Sequence, residues 1–271
     1  MGYTGQPSFC HATFFGIGAY TSTILCVEYG MPVWFGMICA LFVSGLSGVI
    51  IGYPTLRLRG AYFAIVTLCV GLIGSILVSN PRSITKGLAG IDRIPAPAGI
   101  LEDKRMYFYL IFFFLVLTVL VSRRLINSRI GRGFKAVREN EDFANSVGVN
   151  TFRSKLVSFV IGAVFAGLAG TLYAHCFHFL DPTVMTSQAS FEVVMMVVLG
   201  GMGTISGPII GAILLSLLPE YLRIIGMYRM LIYGVILILT LLFMPYGIVG
   251  GYYVVSAKIR GLISKKGEKV A

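Results

Sequence analysis

Apolar runs of membrane-crossing length follow one another along the chain, separated by short polar breaks, near residues 9–27, 33–52, 61–79, 106–122, 156–177, 186–200, 207–222 and 229–247. A helix needs about 20 mostly apolar residues to cross a hydrocarbon core about 30 Å thick. The pattern predicts an all-α membrane protein, a polytopic helical bundle of about eight transmembrane segments. In the second run a small residue recurs at every fourth position, as Gly36, Ala40, Ser44, Gly48 and Gly52. The fifth repeats the device with Gly162, Ala166 and Gly170 beside Ala163 and Gly167. Ridges of small side chains let a neighbouring helix come close, so both helices are expected to be buried. The general abundance of Gly and Ala in membrane helices explains any single position, but less readily two sustained ladders.

The stretch 186–222 is too long for one crossing and is interrupted by Gly200-Gly-Met-Gly-Thr-Ile-Ser-Gly-Pro208. Two readings fit. One is a Gly-rich broken or re-entrant pair of half-helices, with Gly200, Gly201, Gly203, Gly207 and Pro208 at a break in a translocation path. The other is a plain turn between two antiparallel helices. Irregular backbone at membrane depth is tolerated only where protein buries it or where it lines a wet cavity.

Charge sets the sidedness. The 271 residues are 56% hydrophobic and 12% charged, too apolar for a soluble domain, in which about a quarter of residues are charged. A net charge of +11 would point to nucleic acid if a basic stripe were interleaved with exposed aromatics. Lys and Arg gather instead in 123–155 and in the tail 256–271, at Lys258, Arg260, Lys265, Lys266 and Lys269. The cation excess of cytoplasmic loops assigns both segments, and hence the C-terminus, to the cytoplasm, with Arg57 and Arg59 on the same side. Residues 80–105 and 178–190 then face the opposite compartment, and 186–222 must cross twice or dip and return.

Little in the chain suggests chemistry. It contains no phosphate-cradling Gly-x-x-x-x-Gly-Lys-Ser/Thr loop. The span interiors hold no acidic or histidine relay of the kind ion-coupled carriers use, since Glu28 and Glu192 lie near segment ends. Cys10, Cys26, Cys39, Cys69 and Cys176 form no Cys-x-x-Cys pair, so neither a disulfide framework nor a zinc site is expected. His175 and His178 read as interfacial residues ending the fifth run ahead of Asp181-Pro182 rather than as metal ligands. His11 reads as a packing or hydrogen-bonding residue. Met1 runs into polar residues rather than a basic and then apolar leader, so insertion is expected to rest on the internal spans. No cofactor, metal or catalytic group is expected.

The charged segment 123–155 stands apart. Burying its cations at the bilayer centre would cost on the order of 20 kcal/mol, at roughly 2.5–3.5 kcal/mol each, so the segment is expected to be aqueous. Asn140 is placed to cap a helix whose first turn holds Glu141 and Asp142, favourable at the positive end of the helix dipole, and Gly148 to close it. Phe143, Ala144 and Val147 form a compact apolar face at helical spacing, and Asn150 can cap the span that begins near Thr151. Such an element suits a groove on a partner protein. A solvated connecting loop with incidental helicity is the plainer reading.

Several stretches carry a family resemblance: Gly2-Tyr-Thr-Gly-Gln-Pro-Ser-Phe-Cys-His11 and its continuation to Tyr20, Pro54-Thr-Leu-Arg-Leu-Arg-Gly60 continuing to Leu68, the 131–150 loop, Ala166-Gly-Leu-Ala-Gly170 continuing to Ala174, and 197–208. Together, and nearly end to end, they resemble LivM-type permease subunits of branched-chain amino-acid ABC importers. The resemblance implies a multi-pass inner (plasma) membrane transport subunit without its own ATPase site, in contact with membrane lipid and with no nucleic acid. It would translocate Leu, Ile or Val delivered by a periplasmic or extracellular solute-binding protein, beside a homologous second permease and two ATP-binding subunits. Urea, short-amide or sugar permeases share the fold, and an ion-coupled carrier or channel is the reading from another class.

In such permeases a Glu-Ala-Ala motif followed by Gly docks on the ATPase. Here Glu141, Ala144 and Gly148 occupy it, which makes Asn140, Glu141, Ala144, Val147, Gly148 and Asn150 the coupling set. Phe143 stands where Ala is usual, and Pro7 and Cys10 replace a usual Leu and Gly. The resemblance further implies a single transmembrane permease domain over 1–271, with coupling loop 123–155 and basic tail 256–271, shortened by one or two N-terminal spans.

Overall fold

The computed structural model describes residues 2–80, 85–97 and 103–221, with separate positions between 228 and 250. The predicted span at 229–247 lies largely outside the described residues, and the tail 256–271 wholly so. The helices are α1 (His11–Val27), α2 (Val33–Thr55), α3 (Ala61–Ser79), α4 (Lys104–Asn127), α5 (Arg129–Glu139), α6 (Glu141–Ser146), α7 (Thr151–Phe177), α8 (Ser187–Gly200) and α9 (Ser206–Tyr221). A two-residue strand pair joins β1 (Ile91–Asp92) to β2 (Phe179–Leu180). α2, α3, α4 and α7 are long and apolar enough to cross a bilayer, while α1, α8 and α9 are apolar but shorter. This is an all-α membrane protein. Its chain forms two units, one of residues 3–191 and one of residues 192–271 with Gly2.

In the first unit α1, α2 and α7 pack on one another. Phe14 meets Phe159 edge-on, Gly18 lies against the backbone of Gly167, and Ser22 meets His175, so α1 and α7 run parallel. Gly52 faces Phe159, Gly48 faces Ala163, and Gly167 faces Ser44, so α2 runs the other way. Ser44 and Gly48 of the first small-residue ladder therefore meet Gly167 and Ala163 of the second, while Gly162 and Gly170 face α1 instead, at His11 and Phe15. A Cβ on Gly48 would sit 2.8 Å from that of Ala163, closer than carbons pack, so the helix separation itself requires glycine there. α3 lies beside α1, with Gly74 against Thr13. α4 touches the core through buried Tyr107, whose hydroxyl donates to Leu172 O at 2.8 Å, and through Leu110, Ile111 and Phe114, which pack against the cluster of Met37, Leu168 and Leu172. Its other side turns Phe108, Phe112, Phe113 and Leu120 outward.

The sequence reading leaves 123–139 as loop, whereas α4 continues to Asn127 and α5 fills Arg129–Glu139. Ser128 makes this possible. Its hydroxyl donates to Leu125 O at 2.6 Å, closing α4, and its Oγ accepts from Gly131 N at 3.3 Å, opening α5. Gly131, Phe134 and Val137, three apart, turn one stripe of α5 inward while its cations stay outside.

At the far end of α7, His178 ends the helix in the left-handed region, at φ +56°. Pairing of Ile91 with Leu180 then joins the two segments, 80–105 and 178–190, that charge assigns to one compartment. Beyond β2 the chain turns back alongside α1. Met185 packs on Gly16 and Gly74, and Ser190 Oγ accepts from Ala12 N at 3.4 Å. The 3-10 turn Pro182–Met185 thus lies against the flank of α1 and α3, a stretch of irregular backbone that the apolar pattern does not reveal.

In the second unit α8 and α9 meet through glycine, with Gly200 against Gly207 and Gly211 against Met196 O. Thr204 Oγ1 accepts from Gly207 N and donates to Gly201 O, both at 3.0 Å, while Gly201 and Gly203 take positive φ of 120° and 84°. Such a turn is open to glycine at little steric cost. Pro208 falls in the first turn of α9, where its missing N–H leaves no helical bond unmade.

Candidate functional site

Local caps fix α6 between its neighbours. Asn140 Oδ1 accepts from Phe143 N and Asn150 Oδ1 from Arg153 N, each at 2.9 Å. Between them Gly148, at φ +86°, turns the chain so that Val149 N reaches Ala144 O at 3.0 Å. The expected apolar face is divided. Ala144 is buried, whereas Phe143 and Val147 are 67% and 61% exposed. Residues one turn apart share a side of a helix, and the next position lies about 100° round. The small Ala144 therefore lets α6 lie against α5 and α7 while Phe143 and Val147 project outward.

The acidic head of α6 is tied to two other elements. Lys155 Nζ donates to Glu141 Oε1, and Arg59 pairs with both carboxylates, Nη2 at 3.0 Å from Asp142 Oδ1 and Nε at 3.7 Å from Glu141 Oε2. The hydrogen bond to Asp142, with the charge of Glu141 beside it, holds the Arg59 pKa above its ordinary value. Lys155 is only 3% exposed, which corrects the expectation that every cation of 123–155 stays in water. Its carboxylate partner offsets the desolvation that would otherwise exclude it. Sequence reasoning missed both cations as partners. The signal for Lys155 was its place four residues before Phe159 and eight before Ala163, on the stripe of α7 that is buried. Lys155 also borders a small recess with Thr4, Gln6, Ser8, His11 and Ser158.

At the other end the two histidines separate in role. Pro95 O can only accept, so His175 Nδ1 carries the proton of their 2.7 Å bond, and the Ser22 hydroxyl donates to Nε2 at 2.8 Å. His178 Nδ1 donates to Ile94 O at 2.9 Å. His175 is thus a buried clamp rather than the interfacial residue the sequence suggests, and only His178 ends the helix. The His11 ring packs edge-on against Phe14 and Phe159. Among the described residues, three hydroxyls of α1, those of Thr13, Tyr20 and Thr23, are buried without a hydrogen-bond partner, as is Ser187 Oγ at the start of α8. No sequence signal singled these out.

Residues 1–241 match the family described as branched-chain amino acid transport system / permease component. The chain is 36% identical over 274 residues to the high-affinity branched-chain amino acid transport system permease protein LivM of Salmonella typhimurium, covering 92% of this chain and 64% of that protein. LivM of Escherichia coli gives the same identity and coverage. The permease protein LivH of Salmonella typhimurium is 27% identical over 277 residues, covering 92% of this chain and 87% of LivH. The chain thus spans 64% of the length of these two LivM proteins. No solved structure matches. A family match across residues 1–241, on a bundle of apolar helices packed through glycine ladders, means that the chain belongs to the branched-chain amino-acid transport permease family.

Proposed function

We propose that this chain is an inner-membrane permease subunit of an ABC importer, working beside a homologous second permease. On this reading it passes branched-chain amino acids delivered by an external binding protein and driven by separate ATP-binding subunits. The substrate class follows the names of its LivM and LivH relatives. The observation that carries the mechanism is α6, which exposes Phe143 and Val147 while Arg59 and Lys155 hold its acidic head. Closure of the ATP-binding subunits pushes on that apolar pair. Asn140, Asn150 and Gly148 keep α6 rigid enough to transmit the push, Ala144 seats it, and Glu141 passes it through Lys155 to α7. Close glycine contacts such as Gly18 on Gly167 leave few interlocking side chains to resist helix movement.

The path itself runs along α1 and the irregular segment 181–186, where the hydroxyls of Thr13 and Tyr20, which have no hydrogen-bond partner among the described residues, offer polar contacts to a zwitterion. α8, with 14 residues, rises about 21 Å, short of a hydrocarbon core about 30 Å thick. That length favours a 186–222 segment that dips and returns, leaving the tail on the cytoplasmic side with 123–155.

Uptake of labelled leucine, isoleucine, valine and urea tests the proposal in a strain lacking its own branched-chain uptake, with the chain co-expressed beside its partner permease, ATP-binding subunits and binding protein. ATP-dependent accumulation of the three amino acids without urea is expected. Accumulation of urea alone, or uptake that needs no ATP-binding subunit, contradicts it.

A further inference from the structure

A cleft of about 530 Å3 opens between α5 and the first two turns of α7, where Arg129, Arg132 and Arg153 surround Ile130, Val149 and Val157. No Asp or Glu lines it. Among the described residues none of the three guanidinium groups forms an ion pair, whereas Arg59 and Lys155 both do. Cations that converge without a counter-ion repel one another. These also stand in the first turns of two helices, against the positive end of each dipole. Neither first turn contains an acid, although that of α6, between them in the chain, holds Glu141 and Asp142. The arrangement is unfavourable when empty and becomes favourable around an anion with several acceptor oxygens, which guanidinium groups grip in pairs.

The place of the cleft says which anion. α4 is long and apolar enough to cross a bilayer, ends at Asn127, and is followed by α5 after Ser128 alone. α7, a second such helix, contributes Arg153 and Val157 from its own opening turns. The cleft therefore stands where two spans leave the hydrocarbon core, which is the level of lipid phosphates. Its apolar side suits the glycerol and first acyl carbons of a lipid better than the solvated flank of an acidic peptide. We propose that this cleft binds the headgroup of an anionic membrane phospholipid, in the manner of basic pockets at the ends of spans.

The test uses the full chain purified in a neutral detergent. Phosphatidylglycerol, phosphatidylcholine of the same chain length, inorganic phosphate and a polyglutamate peptide are titrated separately. Binding is read by native mass spectrometry and by the thermal unfolding midpoint. Phosphatidylglycerol should form an adduct and raise the midpoint, and phosphatidylcholine should do neither. Joint replacement Arg129→Gln, Arg132→Gln and Arg153→Gln should weaken phosphatidylglycerol by roughly tenfold or more. Lys104→Gln with Arg105→Gln, which removes cations at the other end of α4, should leave it unchanged. Should the triple variant fail to fold, Arg153→Gln alone is expected to weaken binding. Equal binding of phosphatidylcholine, unchanged binding in the cleft variants, or a preference for the peptide or for inorganic phosphate overturns the proposal.

Discussion

Lys155, in the opening turns of α7, and Glu141, at the head of α6, form an ion pair in which the ammonium is buried and the carboxylate only partly so. The pair joins the small helix that exposes Phe143 and Val147 to the long helix against which α1 and α2 pack. A buried cation of this kind depends on its partner more than the partner depends on it.

Glu141→Gln should therefore destabilise the chain by about 3 kcal/mol, because it leaves an uncompensated ammonium in the interior. Lys155→Met should cost less, and the double variant should resemble Lys155→Met alone. Unfolding midpoints of the three variants in detergent check this. Simple additivity of the two single changes would show that the residues are not coupled.

Arg59 is largely exposed, so its pairing with Asp142 is open to screening. Arg59→Gln should leave the unfolding midpoint nearly unchanged yet speed amide exchange over 141–147. In about 1 M salt, where charges are screened within about 3 Å, wild type and variant should exchange alike. A difference that persists in high salt assigns the effect to packing instead.

Gly48→Leu should destabilise by about 1–3 kcal/mol, the usual cost of overpacking, since any Cβ there runs into Ala163. Val49→Leu, one position round on an outward side, should be neutral. Equal tolerance of both would mean that α2 and α7 do not approach as closely as their glycines allow.

His175→Leu removes the partner of Pro95 O and Ser22 Oγ at once, a loss of roughly 2 kcal/mol. It should also free the 85–97 segment, so limited proteolysis should cut there in the variant and spare the wild type. Unchanged cleavage would mean that β1 and β2 hold the segment without the histidine.

What was legible in the sequence was local. Asn140, Gly148 and Asn150 punctuate α6 within a few residues of the groups they bond, so residue chemistry alone locates the helix. Glycine ladders likewise announce close packing before any partner is known. α5 stayed hidden because Gly131 and Gly133 lower its helix propensity and only Phe134 and Val137 supply apolar side chains to its inner stripe. The pairing of Arg59 with Asp142, 83 residues away, and of His175 with Pro95, 80 residues away, depends on how the helices are stacked. The opposite fates of Ala144 and Phe143 depend on it too. Spacing told that both belong to an apolar cluster, but not which would be covered by α5 and α7.

Photo-crosslinking from α6 tests most directly whether it presents its apolar pair to the ATP-binding subunit. Benzoylphenylalanine placed at 143 or 147 in the assembled transporter should form an adduct with the ATP-binding subunit. The same probe at Leu88, 79% exposed beside β1 at the other end of the bundle, should not. Adducts from 143 and 147 that change in yield when a non-hydrolysable ATP analogue is added are the predicted result. No adduct from either position, or an equal yield from position 88, would contradict the account.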